Sequence, residues 1–143
     1  MQVKDYMQTT PMTVTPEDLV STASQRMRGI RIRHLPVVSA ENVLVGVVTD
    51  RDVRQAGASD TPHMAEHELL YLLENMTVQD IMTTQVVTVH SDTPLAEAGR
   101  IFLEKKFGCL PVVGNNNVLE GIITVTDLLR AYVQQHETVS STS

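Results

Sequence analysis

The chain repeats itself at a constant offset of 75 residues. Val3-x-Asp5-x-Met7 returns as Val78-x-Asp80-x-Met82, and Leu35-Pro36-Val37-Val38 returns as Leu110-Pro111-Val112-Val113. Asn42-Val43-Leu44-x-Gly46 is matched by Asn117-Val118-Leu119-x-Gly121, and Thr49-x-x-Asp52 by Thr124-x-x-Asp127. Between residues 3 and 55 the register holds without a gap and contains seventeen identities, more than composition alone produces. Two like units of about fifty-five residues are present. In 143 residues two independent cores would be crowded, so the units are expected to share one.

Each unit reads as a short helix with polar ends, then a brief β segment around Met12-Thr13-Val14 or Val86 to Val89. A helix follows, with Val20, Ala23 and Met27 or Leu95, Ala98 and Phe102 at three- and four-residue spacing. Asp18 and Thr93 are candidate N-caps, with Thr15-Pro16 a competing start in the first unit. Two β-branched runs then lie close together, 35–38 with 43–49 and 110–113 with 118–124. Polar turn residues join them, so each pair predicts a hairpin before a last helix. The order is β-α-β-β-α, twice, an α/β (α+β) fold. Packing the two copies face to face about a pseudo-twofold axis would cover both sheets. The expected organisation is one module over 1–143: repeat 1 at 3–56, a connecting loop and helix at 57–77, repeat 2 at 78–133, and a frayed tail at 134–143. Leu69, Leu70, Leu72 and Leu73 carry the apolar side of the connecting helix.

Aromatic residues are 3% of the chain, so Val, Leu, Ile, Met and Ala must build the core. A formal charge of −6 disfavours bulk attraction to nucleic acid or anionic lipid. Six of the eleven basic residues, Arg26, Arg28, Arg31, Arg33, Arg51 and Arg54, nevertheless fall within one 29-residue span beside His34. No apolar run approaches the roughly 20 residues of a membrane helix, and no basic-then-apolar leader opens the chain, so a cytoplasmic protein is expected. The lone Cys109 sits in an apolar run and reads as a buried thiol.

The chemistry concentrates where the second β run of each unit meets its last helix, GVVTDRD in one copy and GIITVTD in the other. Thr49 with Asp52, and Thr124 with Asp127, have the spacing of a capping box, which accounts for both pairs without a ligand. Gly46 and Gly121 interrupt β runs, where glycine costs stability unless a bulge or close backbone approach offsets it. Arg51 stands in a first helical turn, against the helix dipole, where an external anion would offset the mismatch. A nucleotide site has matching needs: a carboxylate accepting from ribose hydroxyls, a threonine for a phosphate or ribose oxygen, and Arg or His facing phosphate. Val47 and Ile122 are placed to flank a base.

These duplicated V-x-D-x-M, L-P-V-V and G-hydrophobic-hydrophobic-T-x-x-D patterns, spanning Val3 to Tyr132, resemble tandem CBS domains, the Bateman module. The resemblance implies a regulatory module that binds AMP, ADP, ATP or S-adenosylmethionine in clefts between paired repeats, and a disk-like homodimer. Carried over by position, the ribose-contacting acids are Asp52 and Asp127 with Thr49 and Thr124 as hydroxyl partners. The position before L-P-V-V, often basic where phosphate is bound, is His34 in one copy and Cys109 in the other. The opposite repeat would supply Thr88-Val89-His90 to the Asp52 site and Thr13-Val14-Thr15 to the Asp127 site. Arg33, His34 and Arg51 become Gly108, Cys109 and Thr126 in the second unit, so the Asp52 site is expected to be the stronger.

Two other classes compete. A metal-dependent enzyme would use His63 and His67 at i, i+4 with Glu66 and Glu68, but no third ligand, nucleophile elbow, Walker motif or CxxC pair accompanies them. No catalytic or metal site is therefore expected. A ligand-free dimerisation or partner-binding scaffold would use the T-x-x-D pairs only as caps. With no catalytic or DNA-binding domain attached, output is expected through a separate partner protein or through oligomeric state.

Overall fold

The computed structural model describes residues 1–30, 32–58 and 74–141. Arg31, the His63 and His67 pair, and most of the expected connecting loop and helix lie outside them. A 3₁₀ turn, Val3–Asp5, precedes α1 (Val20–Ile30), β1 (His34–Val38), β2 (Leu44–Thr49) and α2 (Asp50–Ala58). Then come α3 (Val78–Ile81), α4 (Leu95–Lys105), β3 (Cys109–Val113), a 3₁₀ turn at Asn115–Asn117, β4 (Leu119–Thr124) and α5 (Val125–Ser141). The class is α+β. Helix α2 runs through Gly57 and Ala58, two residues expected in the loop, and α5 runs to Ser141, well into the segment expected to fray.

The chain divides into two compact units, Pro11–Val86 and Met1–Thr10 with Val87–Ser143. The division does not follow the repeats, because the opening segment of each repeat belongs with the hairpin of the other. In the first unit, β1 and β2 pair antiparallel with His34 opposite Thr49, and in the second β3 and β4 pair with Cys109 opposite Thr124. Both ladders shift register at the same place, between Val37 and Val38 and between Val112 and Val113. The connecting turns place Asn42, Asn116 and Asn117 at φ near 60°, a left-handed conformation that Asn tolerates better than most residues.

Further segments complete each hairpin. Val14 pairs in parallel with Val37, its N–H donating to Pro36 O (3.1 Å) and its carbonyl accepting from Val38 N (2.9 Å). Val89 does the same beside Val112, with distances of 3.1 and 2.9 Å. The brief β segments expected here thus shrink to one paired residue each. The N–H groups next in line are taken by turns: Thr15 N donates to Asp18 Oδ2 (2.8 Å) and His90 N to Thr93 Oγ1 (3.0 Å). Asp18 and Thr93 therefore close the turn ahead of their helices instead of capping them, and Pro94 occupies the N-cap of α4.

On the opposite edge, Val47 exchanges two hydrogen bonds with Thr83 (3.0 and 2.9 Å), and Ile122 exchanges two with Gln8 (3.0 and 2.8 Å). This crossing explains the glycines. A Cβ on Gly46 would lie 2.8 Å from the Thr83 carbonyl oxygen, and one on Gly121 2.5 Å from that of Gln8. Close backbone approach, rather than a ligand, requires both.

The crossing segments are anchored just upstream. Val78 and Val3 are fully buried in the cores of the two units. Val78 N donates to Asp18 O (2.8 Å) and Val3 N to Thr93 O (2.8 Å), while Asp80 and Asp5 close capping boxes on Thr77 and Gln2. In the first unit Val14, Leu35, Val37 and Val48 pack with Ala23 and Met27. In the second, Val89, Leu110, Val112 and Ile123 pack with Leu95, Ala98 and Phe102. We expect Gly121→Ala to lower stability by about 1–3 kcal/mol in urea unfolding, because backbone rather than a flexible side chain must yield. Gly29→Ala, where a Cβ meets nothing within 4 Å, should be neutral or slightly stabilising. Equal midpoints for the two variants would contradict the close-approach account.

Candidate ligand site

The β2–α2 corner forms a reciprocal cap. Thr49 N donates to Asp52 Oδ2 (2.9 Å), and Asp52 N donates to Thr49 Oγ1 (3.0 Å). These bonds satisfy donors that a helix start leaves open. Asp52 Oδ1 and the Thr49 hydroxyl proton remain uncommitted among the described residues, and both side chains are half-buried. One acceptor and one donor therefore face outward from a rigid corner.

The β4–α5 corner has the same backbone and a different carboxylate. Asp127 Oδ2 accepts from Thr124 N (2.8 Å) and Thr124 Oγ1 (3.1 Å), while Asp127 N donates to that hydroxyl at 3.3 Å. Asp127 Oδ1 accepts from Arg130 at 2.8 Å, and Asp127 is fully buried. Every oxygen of this corner is engaged internally. Arg130 was not among the sequence candidates, although its i, i+3 spacing from Asp127 was the available signal. The aligned residue in the first repeat is Gln55, which carries no charge.

His34 lies opposite Thr49 in the hairpin. Burial, the largest cause, pulls its imidazole below the ordinary 6.5; Asp50 opposes this, Arg33 adds to it, and Asp52 opposes it. His34 is thus neutral at pH 7 and offers a phosphate a hydrogen bond rather than a charge. At the equivalent position, burial pushes the Cys109 thiol up to about 12, so it is a packed, unreactive group.

The remaining candidates divide. Val47 and Ile122 are buried, and their backbones pair with the crossing segments. Arg51 is exposed and enters none of the ion pairs among the described residues, while Asp50 and Asp52 beside it satisfy the helix dipole. Arg33 is exposed and lines a cavity beside α1 and α2 to which Thr49 and Asp52 do not contribute. Arg26 is structural: it donates to Thr13 O (2.8 Å) and pairs with Asp18 (3.6 Å). Thr13 and Thr15 stay with the Asp52 hairpin, whereas Thr88 and His90 stay with the Asp127 hairpin, where the His90 ring lies 2.9 Å from Val113 O. Among the described residues no group of three or more His, Cys, Asp or Glu is placed to hold a metal, and no helix is long and apolar enough to cross a membrane.

The CBS domain family model matches residues 3–59 and 78–134. A CBS domain-containing protein of Dictyostelium discoideum is 31% identical over 96% of this chain and 94% of its own length. Among solved structures, CBSX2 in complex with AMP, a protein of Arabidopsis thaliana, matches with a TM-score of 0.80 and 31% identity, covering 94% of this chain and 98% of that one. The CBS domain pair of MJ0100, in complex with 5-methylthioadenosine and S-adenosyl-L-methionine, gives a TM-score of 0.77 and 26% identity over 92% and 99% of the two chains. The chain also matches the inosine-5'-monophosphate dehydrogenase of Methanocaldococcus jannaschii at 35% identity over 83% of its residues, but spans only 21% of that enzyme.

Neutral His34 makes a pH prediction. As pH falls through the ordinary 6.5 and on toward the lowered native value, the unfolded chain takes up a proton that native His34 resists, so its contribution to stability is lost progressively over that range. His34→Gln should flatten this part of the stability-versus-pH curve in chemical denaturation, and an unchanged slope would show that His34 is not the group responsible.

Proposed function

The chain belongs to the CBS domain family, with two copies in tandem, and on that premise we propose that it is a regulatory binding module rather than an enzyme. Its ligand is an adenosine compound, AMP, ADP, ATP or S-adenosylmethionine, held at the Thr49–Asp52 corner. The observation that carries this reading is the contrast in the carboxylates: Asp52 keeps one oxygen for a ligand hydroxyl, and Asp127 has given both to Thr124 and Arg130. The complexes of CBSX2 with AMP and of MJ0100 with S-adenosyl-L-methionine support the class of ligand. A ribose diol donates to the free Asp52 oxygen and accepts from the Thr49 hydroxyl. Arg51 supplies the charge for a phosphate, since His34 is neutral.

Calorimetric titration with AMP, ATP and S-adenosylmethionine should show at least one ligand binding in the micromolar range, about −8 kcal/mol at 1 μM. Asp52→Asn should weaken it by roughly tenfold or more, as expected for loss of a charge-assisted bond, and Asp127→Asn by less. Failure of the folded chain to bind any of the three would overturn the sensor reading and favour a ligand-free scaffold.

The module acts through a second copy of itself or a separate protein. On α5, Val125, Leu129 and Tyr132 stand at i, i+4, i+7 with exposures of 41%, 60% and 61%, and Leu103 of α4 is 82% exposed. The equivalents of Leu103, Val125 and Leu129 in the first repeat are Arg28, Asp50 and Arg54. An apolar stripe set against those charges would desolvate them without partners, so the stripe pairs with its own copy across a twofold axis. Light scattering should report a dimer that Leu129→Asp converts to monomer; a monomeric wild-type chain would exclude this contact.

A further inference from the structure

The first unit contains a concave site to which Thr49 and Asp52 do not contribute. Helix α1, the segment entering β1, and α2 enclose an open cavity of about 460 Å³. Its charged lining is Arg28, Arg33, Arg54 and the single carboxylate of Asp50. Asp50 pairs loosely with Arg54 at 3.7 Å, and neither Arg28 nor Arg33 enters an ion pair among the described residues. Three guanidinium groups against one carboxylate leave a local excess of two positive charges, in a chain whose formal charge is −6. Met27, Ile32 and Val53 provide apolar walls continuous with the core, so the cavity is more than a run of surface cations. Its volume lies within the roughly 300–1,000 Å³ of small-molecule sites.

The repeat supplies a comparison within the molecule. Seventy-five residues on, Arg28 becomes Leu103, Arg33 becomes Gly108, Asp50 becomes Val125 and Arg54 becomes Leu129. All four charged positions are uncharged in the copy, although the hairpin and both capping corners are kept. The scaffold therefore does not require these arginines.

We infer that this cavity is a second ligand site, for a small molecule bearing two or more phosphate charges. Guanidinium forks match phosphate oxygens in geometry as well as charge, and three can share a diphosphate where one could not neutralise it. Arg54, whose side chain is 74% exposed, exchanges its loose pair with Asp50 for a phosphate contact. The apolar walls receive whatever part of the molecule carries no charge. The site uses residues apart from Thr49 and Asp52, so the module reads two chemical signals, one through a ribose and one through clustered phosphates.

The experiment uses inorganic pyrophosphate as the probe, titrated into the full chain by calorimetry, with uncharged adenosine as the control ligand. Pyrophosphate should bind with submillimolar affinity, and Arg28→Gln combined with Arg54→Gln should weaken it by roughly tenfold or more, with no change in adenosine affinity and an unaltered circular dichroism spectrum. Added salt should weaken pyrophosphate and leave adenosine untouched. The proposal is overturned if millimolar pyrophosphate does not bind, if the double variant binds it equally well, or if saturating adenosine displaces it. The pyrophosphate arm reads out whether or not adenosine binds, so failure of the ribose site would not be mistaken for failure of this one.

Discussion

A two-stranded hairpin is marginal in water, and each hairpin here becomes a sheet only because other segments lie along its two free edges. The decisive edge is the crossing of Thr83 over Gly46 and of Gln8 over Gly121, where paired backbones come too close for any side chain between them. Both segments are drawn in from the start of a repeat and held by one fully buried valine, Val78 or Val3. The cores form around this exchange, and the positions of Thr49, Asp52, Thr124 and Asp127 follow from it. A chain that lost the crossing would lose the rigid end of β2 or β4, and with it the corner that presents the carboxylate.

On that common frame, a few side chains give the two corners different chemistry. The backbone bond from the threonine N–H to the aspartate is 2.9 Å in one and 2.8 Å in the other. Arg130 then binds the remaining Asp127 oxygen, while its counterpart Gln55 leaves Asp52 available. A hydrogen-bonded carboxylate that is also ion-paired and buried gains little from a ligand hydroxyl, whereas a half-buried one can accept one at small desolvation cost. Both copies thus keep the cap, and in one of them an aspartate oxygen has no partner among the described residues. The outer helix surfaces diverged in the same manner, toward arginines and a cavity in one repeat and toward exposed leucines in the other.

Much of this was legible in the residues. The 75-residue echo, the hairpins, the apolar helix positions Ala23, Met27, Ala98 and Phe102, and the capping boxes all rest on local spacing, which local backbone geometry obeys. The glycines were legible only as a choice between a bulge and a close approach, because the partner backbone lies far away in sequence. Arg130 was overlooked because an i, i+3 pair on a helix is usually a solvated contact, and only burial of Asp127 makes this one decisive. Arg33 reads from the sequence as part of a phosphate neighbourhood beside Asp52, and the cavity it lines with Arg28 and Arg54 is visible only once α1 and α2 are packed together.

By itself, then, the sequence determined the repeat, the elements within it and the residues that cap each last helix, since these depend on interactions within a few positions along the chain. Tertiary structure decided which hairpin each opening segment completes, which carboxylate keeps an oxygen without a partner among the described residues, that His34 is neutral, and that three arginines gather around one cavity. Those outcomes depend on burial and on contacts between distant segments, which no periodicity encodes.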